Sequence, residues 1–137
     1  MAEFSLLGAA GEFKANLLDL RQQRQEIITS NVANADTPGY KAKRFEFEDV
    51  LKESLPPRDE LPMARTTVSH LPKRYEGPVA GRLQDVETPI PKGDGNSVNL
   101  EQEMAMQSAN QLLYNYAAQS LSSQISTMRM MIDGNTR

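Results

Sequence analysis

The sequence predicts a mainly α fold: long N- and C-terminal amphipathic helices packed as a coiled coil, with an irregular, short-β insertion between them. Three observations predict it. Phe13, Leu17, Leu20, Ile27 and Asn31 recur at a spacing near the ~3.5-residue repeat of a helical seam. Tyr114, Ala118, Leu121, Ile125, Met128 and Ile132 recur as strictly near the C-terminus. All eight prolines lie between residues 38 and 91, so the helix breakers are confined to the middle of the chain.

The first helix is expected from Glu12 to Ala33, roughly 33 Å long. Gly8 and Gly11 weaken the preceding stretch by about 1 kcal/mol each relative to Ala. Arg24 stands at the position the apolar repeat skips, and Leu18 and Ile28 widen the stripe. Arg21, Gln22, Gln23 and Gln25 make the remaining surface polar. The helix ends because Pro38 has no N–H and pushes Thr37 out of the helical region. Asn34 suits a left-handed C-terminal cap. Thr37-Pro38-Gly39-Tyr40 reads as a type II turn, with Pro second and Gly third. Asp36 is placed to accept backbone N–H groups there. Buried amides need partners. Polar residues beside an apolar seam can set helix register, as they do in coiled coils. Asn31, Asn34, Asp36, Thr37, Pro38, Gly39 and Tyr40 are therefore the candidate assembly motif.

Residues 1–40 hold this helix and turn, 41–95 the insertion, and 96–137 the second helix, which pairs with the first in one structural domain. In the insertion, Ala42 to Phe47 alternates enough for a short strand. Phe47, Val50 and Leu51 alternatively open a short helix that ends before Pro56-Pro57. Thr66 to Ser69 is strand-like but brief, and Pro72 to Gly95 has no sustained periodicity. Lys92 to Asn96 is a turn cluster.

Asn99 is a good N-cap for the last helix. Gln102 stands at the reciprocal capping-box position, and Glu101 and Glu103 lie where the helix dipole favours acid. The helix should span roughly 50 Å and stop near Gly134. Its Leu113, Leu121, Ile125, Met128 and Ile132 join Phe13, Leu17, Leu20 and Ile27 as the candidate seam, between helices or between subunits. Met130 and Met131 are adjacent, so both cannot sit on that seam.

Composition narrows the function. Absence of cysteine excludes disulfides, thiol nucleophiles and thiolate metal sites. Net charge is -3, and acidic and basic residues are mixed, which leaves no nucleic-acid footprint. Arg21, Arg24, Lys41, Lys43 and Arg44 form the main basic grouping and read as a solvated face. No apolar run approaches the ~20 residues of a membrane span, and no cleavable secretion signal is recognisable. His70 is the single histidine, and no carboxylate pair has acid–base spacing. Gly93-Asp94-Gly95-Asn96 lacks the in-register glutamate of a calcium loop. The expectation is a non-enzymatic protein without metal or cofactor.

Ser30-Asn31-Val32-Ala33-Asn34-Ala35-Asp36-Thr37-Pro38-Gly39-Tyr40 closely resembles the N-terminal signature of the bacterial flagellar axial family: rod, hook and hook-associated proteins. Leu20 through Ile27 and on to Phe45-Glu46-Phe47, with Gly95 to Met104, Asn110 to Leu112 and Tyr114, are similar to the proximal rod members. The resemblance covers both ends well and residues 55–90 poorly. It implies terminal helices that pack beside copies of themselves around a central channel and transmit torque. It also implies export through the flagellar type III channel without signal cleavage, and a periplasmic place beside the inner membrane. The implied partners are copies of the chain, the rod protein FlgC, the basal adaptor FliE and the export gate, with no nucleic acid and no membrane insertion. The alternative reading is a soluble helical adaptor or export chaperone that binds one partner helix.

Overall fold

The computed structural model describes residues 8–54, 78–86 and 93–134. Element order is α1 (Gly8–Ala33), β1 (Lys43–Glu46), α2 (Glu48–Ser54), β2 (Arg82–Asp85) and α3 (Leu100–Gly134). The fold class matches the sequence expectation: two long helices with a small antiparallel sheet between them. At ~1.5 Å per residue, α1 is about 39 Å long and α3 about 52 Å.

α1 begins earlier than its glycines suggest. Gly11 is buried within it, so tertiary packing overrides glycine's weak propensity. α3 begins where its cap is: the Gln102 N–H donates to Asn99 Oδ1 at 3.2 Å and the Glu103 N–H to the Asn99 carbonyl at 2.9 Å. The strand and the short helix posed as alternatives after residue 41 both form, in succession.

β2 is a strand the periodicity did not reveal. Arg-Leu-Gln-Asp has no β-branched residue, and all four positions are exposed, so no face alternates. Pairing with β1 creates it, in the register Lys43↔Asp85, Arg44↔Gln84, Phe45↔Leu83 and Glu46↔Arg82. That register puts opposite charges across from each other at both ends, an arrangement worth ~0.2–1 kcal/mol per pair. Gly81 makes room for the Phe45 ring: a Cβ there would lie 2.1 Å from Phe45 Cζ. The Thr66–Ser69 segment and His70 lie outside the described residues.

Two apolar clusters form the core. Leu20, Phe45 and Phe47 pack with Leu17, Ile27 and Leu51. Ala35, Ala42 and Val98 pack with Tyr40 and Val86. The first fastens β1 and α2 to α1, and the second fastens the turn after α1 to the lead-in of α3.

The α1–α3 seam is more polar than the apolar repeat implies. Lys14 Nζ donates to Gln124 Oε1 at 2.9 Å, and Arg21 Nη1 to Asn110 Oδ1 at 3.4 Å. The Asn110 amide donates to the Arg21 carbonyl at 2.9 Å and to Gln25 Oε1 at 3.1 Å. Asn31 Nδ2 donates to Glu103 Oε2 at 3.1 Å. These contacts run in antiparallel order, and Glu103, Asn110, Ala117 and Gln124 follow a seven-residue repeat of the kind that keeps one helix face against another.

Candidate assembly site

The site is built around the end of α1. In β1, Lys43 and Phe45 turn their backbone polar groups away from β2, as strand alternation requires. α1 side chains satisfy them. Asn31 Oδ1 accepts the Lys43 N–H at 3.0 Å, and Asn31 Nδ2 donates to the Lys43 carbonyl at 2.7 Å. The amide thus pairs with β1 as a neighbouring strand does. Arg24 donates from Nε at 3.0 Å and Nη2 at 2.9 Å to the Phe45 carbonyl. Asn16 repeats the device on the lead-in to β2, accepting the Val79 N–H at 3.0 Å and donating to its carbonyl at 3.3 Å.

Below Asn31 the helix closes on side chains. Asn34 Nδ2 donates to the Ser30 carbonyl at 2.8 Å, and Thr37 Oγ1 to Asn34 Oδ1 at 3.3 Å. The left-handed cap expected at Asn34 does not form: no described non-glycine residue has positive φ. The Asn34 side chain satisfies the last turn instead, so the backbone need not take that strained conformation. The turn at Thr37–Tyr40 is as expected, with Gly39 at φ +72° and the Tyr40 N–H donating to the Thr37 carbonyl at 3.2 Å. Asp36 is exposed and has no hydrogen-bond partner among the described residues.

A second chain segment locks this turn; the sequence placed it in a turn cluster and in the Gly95–Met104 resemblance without assigning it a contact. Asn96 is fully buried. Its amide donates to the carbonyls of Asn34 (2.9 Å), Ala35 (3.0 Å) and Thr37 (2.9 Å). Its Oδ1 accepts the Val98 N–H at 2.7 Å. Flanking bonds complete the clasp: Gly39 N–H to the Asp94 carbonyl at 3.0 Å, Ser97 N–H to the Tyr40 carbonyl at 3.0 Å, and Ala42 N–H to Ser97 Oγ at 2.7 Å. Gly95, at φ +77°, lies beside Gly39, and its positive φ is what the turn requires of it. The clasp sets where the returning chain enters α3 and hence the register in which α3 meets α1.

The basic grouping is only partly a solvated face. Lys41 and Lys43 are exposed, but Arg21 is buried and Arg24 half-buried. The two guanidinium carbons lie 5.6 and 4.3 Å from the Phe47 ring centroid, respectively, within cation–π range. Burial lowers the Arg21 pKa from its ordinary value; the Glu48 charge opposes that shift and Arg24 adds to it. Arg24 is also bonded to Glu48 through both guanidinium ends. Burial pushes the Glu48 carboxyl up. The Arg24 hydrogen bond and charge, with backbone bonds from Glu48 and Phe47, outweigh it and hold the group below its ordinary value.

Within the motif, then, Asn31 is fully buried, Asn34 and Tyr40 are half-buried, and Asp36 to Gly39 face out. Of the seam residues, Leu20 is in the core, and Phe13, Leu17, Ile27, Leu121 and Met128 are half-buried. Leu113, Ile125 and Ile132 are exposed. Sequence reasoning assigned no inter-segment contact to Asn96, Glu103 or Asn110. The seven-residue spacing of Glu103, Asn110 and Ala117 was the available signal for the latter two.

The family model described as flagella basal body rod protein matches residues 18–41, the stretch that carries Asn31, Asn34 and the turn. The chain is 36% identical over 134 residues to the flagellar basal body rod protein FlgB of Escherichia coli strain K12, covering 94% of this chain and 97% of that protein. It is 35% identical over 132 residues to FlgB of Salmonella typhimurium, covering 93% and 96% respectively. With FlgB of Buchnera aphidicola it shares 30% over 132 residues, covering 96% and 99%. The chain belongs to the FlgB family of flagellar basal body rod proteins. As a member of that family it is a structural subunit of the basal body rod. Rod membership supports self-assembly within the rod. Among the described residues no helix is long and apolar enough to cross a membrane.

Proposed function

We propose that this chain builds the proximal part of the rod, on the periplasmic side of the inner membrane, packing with copies of itself around the export channel and passing torque. It does so without catalysis, and it reaches its place through the flagellar export channel with no signal peptide removed. Its neighbours are FlgC above, with the adaptor FliE and the export gate beneath. One observation carries this reading. The residues matched by the rod family model are those that end α1 and meet the Asn96 clasp. A side-by-side helical array needs each subunit to present α1 and α3 in one fixed register, and this clasp sets that register. Asn31, Asn34 and Asp36 to Tyr40 are the assembly motif in this sense.

The test uses an epitope tag at Asp59 in a flagellated bacterium lacking its own copy, with detergent-extracted basal bodies purified. Tag in the rod with restored hooks is the expected result. Tag confined to the soluble cytoplasm, on intact protein, overturns the reading in favour of an adaptor or chaperone. Replacing Asn34 or Gly39 by Leu should block hook formation while the chain is still exported; hooks at normal frequency would remove the role assigned to the motif.

A further inference from the structure

The charges of α1 are segregated. Its cations, Lys14, Arg21 and Arg24, turn inward and bond to Gln124, Asn110 and Glu48. Its acids, Glu12, Asp19 and Glu26, recur every seven residues and are all exposed. Glu26 accepts a bond from Gln22 at 3.5 Å, and among the described residues no cation pairs with any of the acids. Asp19 and Glu26 lie about 160° and 140° around the helix from Arg21, so the acid row runs along the outer side of α1.

The inner side borders a polar cleft of about 570 Å³, between α1, β1, the start of α2 and the seam face of α3. The acids of the cleft are already taken. Glu48 is bonded to Arg24, Asp49 to Lys52 and Glu103 to the Asn31 amide, while Glu46 stands across the strands from Arg82 and Lys43 from Asp85. Arg21 and Arg44 are left without a carboxylate. Arg21 is 9% exposed, its Nε has no hydrogen-bond partner, and its bond to Asn110 is a long one of 3.4 Å. Arg44 is half-buried, stands opposite the uncharged Gln84 and makes no ion pair among the described residues.

A buried cation without its counter-charge is costly, and a guanidinium is the group best shaped to take a carboxylate. We propose that this cleft is a carboxylate site and that its ligand is the acid row of α1 from a second copy of the chain. The proposal deepens the rod-subunit reading and rests on it. Row and cleft lie on opposite sides of one helix, so the contact is heterologous. Each copy offers acids to one neighbour and Arg21 with Arg44 to another, and such pairing propagates instead of closing. Two acid rows repel each other, which disfavours the contact of like faces.

The absence of cysteine makes the test clean, and the pairing charges can stay in place. Gln84 lines the cleft opposite Arg44, and Gln23 stands on the outer side of α1 between Asp19 and Glu26; both are exposed and uncharged. The tagged chain carrying Gln23→Cys and Gln84→Cys is expressed in the flagellated strain lacking its own copy, and basal bodies are treated with a short bis-maleimide. The expected result is a ladder extending beyond dimers with the double variant, and no crosslinked copies with either single variant. Adding Arg44→Glu should cut the ladder roughly tenfold or more, or block incorporation, while the purified chain keeps its urea midpoint. Incorporation without a ladder overturns the proposal. So does a ladder that Arg44→Glu leaves intact, and so does a dimer from Gln23→Cys alone, which means that acid rows meet. If the double variant fails to incorporate, Ala15→Cys with Gln84→Cys is read in the same way. Absence of the unsubstituted tagged chain from basal bodies is a distinct outcome that removes the rod-subunit reading and this proposal with it.

Discussion

Replacing Asn96 by Ala removes one side chain and leaves four backbone partners without it. The amide donates to the carbonyls of Asn34, Ala35 and Thr37 and accepts from the Val98 N–H. Thr37 is exposed and Asn34 half-buried, so water can reach their carbonyls. The Ala35 carbonyl and the Val98 N–H make buried bonds and lose their partner outright. Each of the two buried orphans costs ~1–3 kcal/mol, so the expected loss is about 2–6 kcal/mol. Urea unfolding of the purified chain, followed by far-UV circular dichroism, reads it as a fall in midpoint at constant slope. Asn96→Asp is the control in shape: it keeps the acceptor for Val98 but sets a carboxylate against three carbonyl oxygens. Its loss should be comparable at neutral pH and should shrink as acid protonates the new carboxyl and restores a donor. A change within ~0.5 kcal/mol for Asn96→Ala, the range of an ordinary surface substitution, would refute the view that this residue holds the turn.

Other predictions test separate parts of the fold. Gly81→Ala drives a methyl into the Phe45 ring and should cost about 1–3 kcal/mol, the usual range for overpacking, in the same urea assay. Asn31→Leu leaves the Lys43 N–H and carbonyl without their α1 partner; amide exchange at Lys43 should accelerate at least tenfold, while exchange in the middle of α3 changes less. The Glu48 carboxyl is held below its ordinary value, so its contribution is present above the unfolded-state pKa and lost as pH falls through the folded one. Because Glu48 is partly exposed, the effect is small. Glu48→Gln should reduce the acid-side loss of stability as pH falls below the ordinary carboxylate range, and an unchanged acid limb would contradict that assignment.

Both long helices, the end of α1, the start of α3 and the turn were legible in the sequence because their causes are local. Apolar spacing reports a buried face, Pro38 cannot sit in a helix interior, and Asn99 caps α3 with an atom three residues from its partner. The fate of particular residues was less legible. Asn34 suits a left-handed cap by propensity, yet its side chain closes the helix instead. Arg21 and Arg24 look like solvent-facing cations until Phe47 is placed beneath them.

What the sequence determined by itself was the architecture: two long helices, a breaker-rich middle and a specialised turn after the first helix. Those follow from periodicity and from backbone chemistry acting over a few residues. Only the tertiary structure decided that Arg82–Asp85 is a strand, that Asn31 serves as the missing neighbour of β1, and that Asn96 clasps a turn some sixty residues earlier (|i−j| of 62, 61 and 59). Each of these depends on a donor meeting an acceptor from a distant part of the chain, and no local spacing records that meeting. The division has a physical origin. Apolar burial is non-directional and leaves a periodic trace along the chain, whereas a buried hydrogen bond is directional and names its partner only once the chain has closed around it.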